Sequence, residues 1–209
     1  MASRSFSVKH LYRKKFKQFQ FDGLYHKAMD NPESNGVWII VGGEKNGKTW
    51  WAVKLADYLS SKTKVLYISA EEGTGKDFIA VCQRAGIEVN SSLQFDEYMP
   101  IDELKDKLKS RKSAKVIFLD NCTVYADELK SAAFRQLVRQ YPDKLFVLVA
   151  HEEKKQPYTA LAKLARKLAK IIMHVQGLRV TISGRCPGGV INIDENKSAI
   201  YWGTELINE

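Results

Sequence analysis

An apolar run that breaks into glycines and ends on a lysine and a threonine constrains this chain most. Residues 38–49 read WIIVGGEKNGKT and fit the pattern G-x-x-x-x-G-K-[ST], with Gly42 and Gly47 as the glycines. Glycines let the backbone curl so that successive N–H groups face phosphate oxygens, and the following helix N-terminus adds a favourable dipole. Lys48 would reach the outer phosphates, and the Thr49 hydroxyl would help to hold Mg²⁺. The segment predicts a buried strand, a phosphate-binding loop and the start of a helix.

A chance match is the alternative interpretation of this loop. At average composition the pattern arises in a chain of this length on the order of one time in a hundred. The strand-like run before it and the helical pattern after it favour nucleotide binding, with ATP as the expected cofactor. Beyond packing, the sequence indicates no further role for Trp50 or Trp51. The predicted cofactor-binding residues are Gly42, Gly43, Glu44, Lys45, Asn46, Gly47, Lys48, Thr49 and Trp50.

The length of 209 residues fits one large domain with a full parallel-sheet core. Its three cysteines are odd in number and far apart, which argues against a disulfide framework and fits a reducing cytosol. The N-terminus is basic without a continuous apolar stretch, and no run elsewhere approaches the length needed to cross a bilayer. We therefore expect a soluble, cytoplasmic protein with no membrane partner.

The positive charge of the chain suggests a polyanionic partner. The formal net charge is +9, and lysine and arginine cluster in residues 9–17 and again in residues 154–170. Such clusters gain affinity by releasing counterions from phosphates, although a solvated basic surface is the alternative. DNA, with single-stranded DNA favoured, is the expected partner.

Two regions are predicted from the chain order. Residues 1–30 form a basic arm that is too aromatic for simple disorder, and residues 31–209 form the compact domain, which starts at the turn signal DNPESNG. We expect the arm to dock on a sheet edge or on a neighbouring subunit. Direct stacking of its aromatic residues on a nucleic-acid strand is the less favoured interpretation.

The domain alternates short apolar strands with amphipathic helices, the pattern of an α/β fold with a parallel sheet. Leu93 to Tyr98 is a weak strand candidate. The pattern predicts further strands at residues 64–69, 115–120 and 145–150 and helices at residues 48–60, 74–85, 101–110, 127–141 and 158–170.

Polar residues follow three of the predicted strands. Glu71 and Glu72 follow the second strand, Asp120 ends the strand KVIFLD, and His151 follows LFVLVA. The carboxyl ends of strands are where open α/β sheets place their chemistry. Asp120 would hold Mg²⁺ opposite Thr49, the alternative being a cap on the next helix. His151 would sense the outer phosphate, although a lone histidine is more often structural.

The pattern changes from residue 171 onward. Four short alternating runs, IIMHV, LRVTIS, GVINID and SAIYWG, are separated by turn residues and predict an antiparallel meander that ends the sheet. Arg185 lies in the glycine-containing turn SGRCPGG. From such an exposed turn, an arginine would reach the nucleotide of another subunit.

In combination, the segments GGEKNGKT, YISAEEG, VIFLDN, LVAHEEK and SGRCPGG, followed by AIYWG, resemble the RecA-like P-loop ATPase core. The resemblance covers residues 36–203 and is strongest to the branch of RadA-like proteins and DnaB-like helicases, in the compact form found among phage-encoded proteins. It implies an α/β fold with a mainly parallel sheet, flanking helices and a C-terminal antiparallel β meander. It also implies a homo-oligomer, either a ring or a filament, that works in DNA replication, recombination or repair.

The resemblance assigns roles to single residues. Glu71 falls on the catalytic glutamate that activates water, with Glu72 as the fallback, and Asp120 falls on the Walker B aspartate. His151 matches the polar switch residue, and Arg185 matches the arginine that acts on a neighbouring subunit. Lys154 and Lys155 fall in the loop that faces DNA.

Departures from the family pattern keep other functions open. The lysine two residues before the late arginine is Ser183 here, so the apparatus that acts in trans is incomplete. A RecA-like switch or helicase-associated adaptor with little turnover remains an alternative, and a small-molecule P-loop kinase is a weaker one because no arginine-rich lid is present. Asn121, which follows Asp120, argues against a loader of the AAA+ class, where a glutamate stands at that position.

Overall fold

The computed structural model describes residues 5–90, 92–153 and 156–203. Its strands are β1 (Gly36–Gly42), β2 (Val65–Ser69), β3 (Leu93–Glu97), β4 (Val116–Asp120), β5 (Leu145–Glu153), β6 (Gln156–Pro157), β7 (Ile171–Gln176), β8 (Arg179–Gly184) and β9 (Gly189–Asn192). Its helices are α1 (Val8–Tyr12), α2 (Gly23–Met29), α3 (Lys48–Ser60), α4 (Lys76–Ala85), α5 (Ile101–Leu108), α6 (Ser131–Gln140), α7 (Ala160–Leu168) and α8 (Glu195–Trp202), and a 3-10 helix spans Cys122–Tyr125.

The strands form one mixed sheet in the order β3-β2-β4-β5-β1-β7-β8-β9, and β6 pairs with β5. The strands from β3 to β7 in this order are parallel, whereas β8 and β9 are antiparallel additions at one edge. The predicted α/β fold, with a mainly parallel sheet and a C-terminal antiparallel meander, is confirmed. Since β2, β4, β5 and β1 are neighbours that run in the same direction, the residues after them meet at one edge of the sheet.

Both faces of the sheet are covered, as the near-continuous apolar strands predict. Along β1, Trp38 and Ile40 face a core shared with α3 and the N-terminal aromatic residues, while Ile39 and Val41 face a core shared with α5, α6 and α7. The side chains of Trp38, Ile39 and Ile40 are fully buried. Removing apolar surface from water on both faces of the sheet is the main stabilising term for such a domain.

The fourth run of the predicted meander, SAIYWG, is a helix and not a strand, so this prediction was wrong. The Asp194 side chain caps α8 by accepting a hydrogen bond from the Lys197 N–H at 2.9 Å. The apolar residues Ile200 and Tyr201 are 83% and 56% exposed, so they do not mark the buried face of a strand. A local cap outweighed a period-2 pattern that had no core to face.

Other element boundaries moved by a few residues. Helix α3 has the predicted bounds, and the weak candidate at residues 93–98 is the edge strand β3. The helix predicted from Asp127 begins at Ser131, because a 3-10 helix and an irregular turn occupy the preceding residues. In the part of the chain that the structure describes, no helix is long and apolar enough to cross a membrane.

The N-terminal region divides into a packed part and an exposed part. Phe19 and Phe21 are buried and stack on each other and against Trp38, and α2 buries Ala28 and Met29. Residues 18–30 therefore pack into the same core as the sheet, although the domain was predicted to start at residue 31. By contrast, α1 has no buried residue, and the residues that follow it up to residue 17 are exposed.

Candidate nucleotide site

The loop between β1 and α3 has the shape that its glycines predict. Gly47 adopts a φ of 94°, which residues with a Cβ rarely adopt, and it lies immediately before the first residue of α3. Gly42 lies so close to β7 that an added Cβ would be 2.2 Å from the Val175 carbonyl oxygen. The glycines are therefore required both by backbone conformation and by packing of the loop against the β7–β8 hairpin.

Asn46 ties the loop to that hairpin. Its side-chain oxygen accepts a hydrogen bond from the Gly177 N–H at 2.8 Å, and its carbonyl oxygen accepts one from the Leu178 N–H at 3.3 Å. Its amide group donates to the Glu44 carbonyl oxygen at 3.0 Å. These contacts hold the loop in its curled form before any ligand binds, a role of Asn46 that the motif does not indicate.

Lys48 is buried at the base of the loop. Its ammonium group donates to the Gly43 carbonyl oxygen at 2.7 Å, and burial lowers its pKa while the nearby Asp120 carboxylate opposes that shift. A buried cation with one backbone partner retains two more N–H donors. It is therefore suited to binding an anion inside the cavity.

Asp120 ends β4 and is buried beside the loop. Tyr67, on the adjacent strand β2, donates its hydroxyl to one carboxylate oxygen, and the Asn121 N–H donates to the other at 3.0 Å. Burial raises the pKa of Asp120 to about 6, against the opposing effect of the Tyr67 hydrogen bond. A buried carboxylate in this state has a high energy as an anion, and a divalent cation would lower it. Together with the Thr49 hydroxyl, which lines the same cavity, this donor set fits Mg²⁺.

Glu71, Asn121 and His151 meet across the cavity. The Asn121 side chain donates to one carboxylate oxygen of Glu71, and that oxygen lies 3.8 Å from the His151 Nε2. Asn121 has a φ of 55°, and its own side-chain oxygen accepts from the Thr123 N–H at 3.0 Å. The side chain of Glu71 is 56% exposed, so its carboxylate remains accessible to water. Asn121 had been considered only as an argument against another class of ATPase.

These side chains border one cavity of about 420 Å³ at the carboxyl edge of the sheet. Glu72 borders it too, so the cavity alone does not separate the two glutamates. The contacts of Asn121 and His151 favour Glu71. The residues around the cavity are Lys45, Gly47, Lys48, Thr49, Trp50, Glu71, Glu72, Val81, Arg84, Asp120, Asn121, Val149, His151, Leu178 and Lys197.

Arg185 is not part of this cluster. It follows β8 at the opposite end of the sheet, where its N–H donates to the Lys170 carbonyl oxygen at 2.7 Å, and its side chain is exposed. It is therefore remote from the nucleotide site of its own subunit. Lys154 and Lys155, predicted to face DNA, lie outside the described residues.

No protein-family model matches the sequence, and no curated protein is similar to it at a significant level. Solved structures do share its fold. The flagellar accessory protein FlaH from Methanocaldococcus jannaschii superposes with a TM-score of 0.61 and 17% identity over 86% of this chain and 96% of its own. For the KaiC-like protein PH0186 from Pyrococcus horikoshii OT3, the TM-score is 0.59 and the identity 12%, over 86% and 91%.

A solved ATPase domain is a more distant match, with a TM-score of 0.49 and 14% identity over 76% of this chain and 80% of its own. At these identities the likeness shows the fold and not the activity. The chain has a RecA-like P-loop fold, as the resemblance in the sequence implied.

Proposed function

We propose that the protein binds and hydrolyses ATP with Mg²⁺ and acts on DNA as an oligomer. One observation carries the proposal: a phosphate-type loop, a buried lysine, a buried aspartate and an accessible glutamate border a single cavity. Phosphoryl transfer needs positioned positive charge for the phosphates, a metal site and a group that orients the attacking water. The side chains around the cavity include one of each kind.

The chemistry follows from where each group lies. The backbone N–H groups of residues 42–48 and the Lys48 ammonium would bind the phosphate oxygens, and Thr49 and Asp120 would hold Mg²⁺. Bound there, the metal neutralises charge on the phosphates. Glu71 would accept the proton of the attacking water, while Asn121 and His151 hold its carboxylate in place.

Steady-state ATPase measurements on Glu71→Gln test this assignment. Removing a general base costs roughly 100-fold or more in turnover, whereas ATP affinity should stay within about threefold because the carboxylate does not hold the phosphates. Glu72→Gln is the matched control, since Glu72 borders the same cavity without the contact to Asn121. If Glu72→Gln loses turnover and Glu71→Gln retains it, the roles of the two glutamates are reversed.

The action on DNA rests on the distribution of positive charge. The exposed residues 5–17 carry Lys9, Arg13, Lys14, Lys15 and Lys17 and no acidic side chain, and two further lysines follow β5 in the sequence. We expect single-stranded DNA to raise ATP turnover and to bind with an affinity that falls steeply with salt. Binding that does not change with salt would contradict this explanation.

The oligomer rests on Arg185. An exposed arginine remote from its own nucleotide site would serve a neighbouring subunit, where it would stabilise the charge that develops during transfer. Mixing Arg185→Ala subunits with wild-type subunits should lower turnover by more than simple dilution. Turnover that is proportional to the wild-type fraction would show that Arg185 does not act in trans.

A nucleotide-switched adaptor with little turnover is the second candidate. It is favoured by the hydrogen bond from Asn121, which occupies the Glu71 oxygen that would otherwise bind water. In that case wild-type protein binds ATP but shows no turnover with or without DNA, and Asn121→Ala frees Glu71 and raises the rate.

A further inference from the structure

The cavity has a second wall that the phosphate chemistry does not use. This wall consists of Trp50 on α3, Val81 and Arg84 on α4, Leu178 in the β7–β8 turn and Lys197 on α8. It is aromatic, apolar and cationic, whereas the carboxylates and the amide of the cavity belong to the strand ends. A phosphate group would use the cations but would gain nothing from an aromatic ring or apolar side chains.

Trp50 is the centre of this wall. The Arg84 guanidinium carbon and the Lys197 ammonium nitrogen each lie 5.3 Å from the centre of its ring, within the range of cation–π attraction. Trp50 is 7% exposed, and its buried N–H has no hydrogen-bond acceptor among the described residues. An unpaired buried donor of this kind is costly, and a ligand that offers an acceptor would remove the cost.

We propose that Trp50, Arg84 and Lys197 form the binding site for the base of the nucleotide, an inference that rests on the proposed function. Trp50 follows Thr49 directly, so the aromatic wall begins where the phosphate loop ends. A planar guanidinium and an indole are both surfaces on which a base stacks. Arg84 and Lys197 are long, exposed side chains, and they can move to cover a bound base.

The hydrogen-bonding groups of this wall also set its selectivity. The side chains of Trp50, Arg84 and Lys197 are donors only, and within the described residues the wall has no side-chain acceptor. Adenine and guanine both offer N7 as an acceptor, and guanine adds O6, whereas the adenine amino group finds no side-chain partner here. The site therefore binds purine nucleoside triphosphates through stacking and does not exclude GTP.

Calorimetric titration with ATP, GTP and inorganic tripolyphosphate, each with Mg²⁺, tests the assignment. Wild-type protein should bind ATP and GTP within about tenfold of each other. Because one cation–π contact is lost, Arg84→Ala should weaken both by roughly three- to thirtyfold and leave tripolyphosphate unchanged. Lys76→Ala, which removes a positive charge from the same helix outside the cavity, is the matched control and should change none of the three.

The outcomes separate the base site from the nucleotide site itself. If Arg84→Ala weakens tripolyphosphate as much as ATP, Arg84 binds phosphate and the base assignment is wrong. If wild-type protein binds ATP more than about 100-fold tighter than GTP, the donor-only wall does not set selectivity. Wild-type protein that binds neither ATP nor tripolyphosphate overturns the proposed function. A second variant, Lys197→Ala, should repeat the Arg84→Ala pattern.

Discussion

The hydrogen bond between Tyr67 and Asp120 permits a pH-resolved test of the site. Both side chains are buried, and burial also raises the pKa of Tyr67 well above its ordinary value, so Tyr67 remains a donor throughout the neutral range. Tyr67→Phe removes the donor and preserves the ring. Asp120 has a pKa of about 6, so its acceptor is charged at pH 8 and largely neutral at pH 5.

The magnitude follows from the charge of the acceptor. A hydrogen bond to an ionised group contributes about 1.5–3 kcal/mol, and one to a neutral group contributes about 0.5–1.5 kcal/mol. Because burial raises the pKa of Asp120 from 3.8 to about 6, ionising it lowers the stability of the folded protein as the pH rises through that interval. Removing Tyr67 raises this pKa further. The variant should therefore lose about 2 kcal/mol at pH 8 and about 1 kcal/mol at pH 5.

Urea unfolding without Mg²⁺, at pH 5 and at pH 8, measures the difference. The matched control is Tyr125→Phe, because Tyr125 is also fully buried and its hydroxyl donates to a neutral acceptor, the Met99 carbonyl oxygen, at 3.1 Å. Its loss should be about 1 kcal/mol at both pH values. Equal losses for Tyr67→Phe at the two pH values, or a pH-dependent loss for Tyr125→Phe, would refute the reasoning.

Two further substitutions test the packing around the site. Gly42→Ala places a Cβ 2.2 Å from the Val175 carbonyl oxygen, so it should cost about 1–3 kcal/mol in urea unfolding and abolish ATP binding; Gly75→Ala, with no atom within 4 Å of the added Cβ, should retain binding. Phe21→Ala removes a buried ring and should cost about 3–5 kcal/mol, whereas exposed Phe16→Ala should stay within about 0.5 kcal/mol. Equal losses for both phenylalanines would place Phe16 in the core.

The strand ends of the site were predictable because they depend on local pattern. Four consecutive apolar residues before Asp120 indicate a strand buried on both faces, and the same holds for the run before His151. Parallel strands bring their carboxyl ends to one edge, so Glu71, Asp120 and His151 were expected together, and they do border one cavity.

The contacts between these residues were not predictable from the sequence. Tyr67 and Asp120 are separated by 53 positions and Asn121 and Glu71 by 50, and they meet only because β2 pairs with β4. Asn46 likewise reaches the hairpin at Gly177, 131 positions away. Nothing local marks these partners, since a tyrosine in a strand or an asparagine after an aspartate is equally compatible with a solvent-facing position.

The sequence by itself determined the phosphate loop, the alternation of strands and helices and the order of the polar strand ends. These features depend on conformational freedom at glycine and on hydrophobic period, which are properties of short segments. Only the tertiary structure decided that residues 18–30 belong to the core, that residues 195–202 form a helix, and that Trp50 meets Arg84 and Lys197. Burial and side-chain pairing depend on which distant segments the sheet order brings together, and that order is a property of the whole chain.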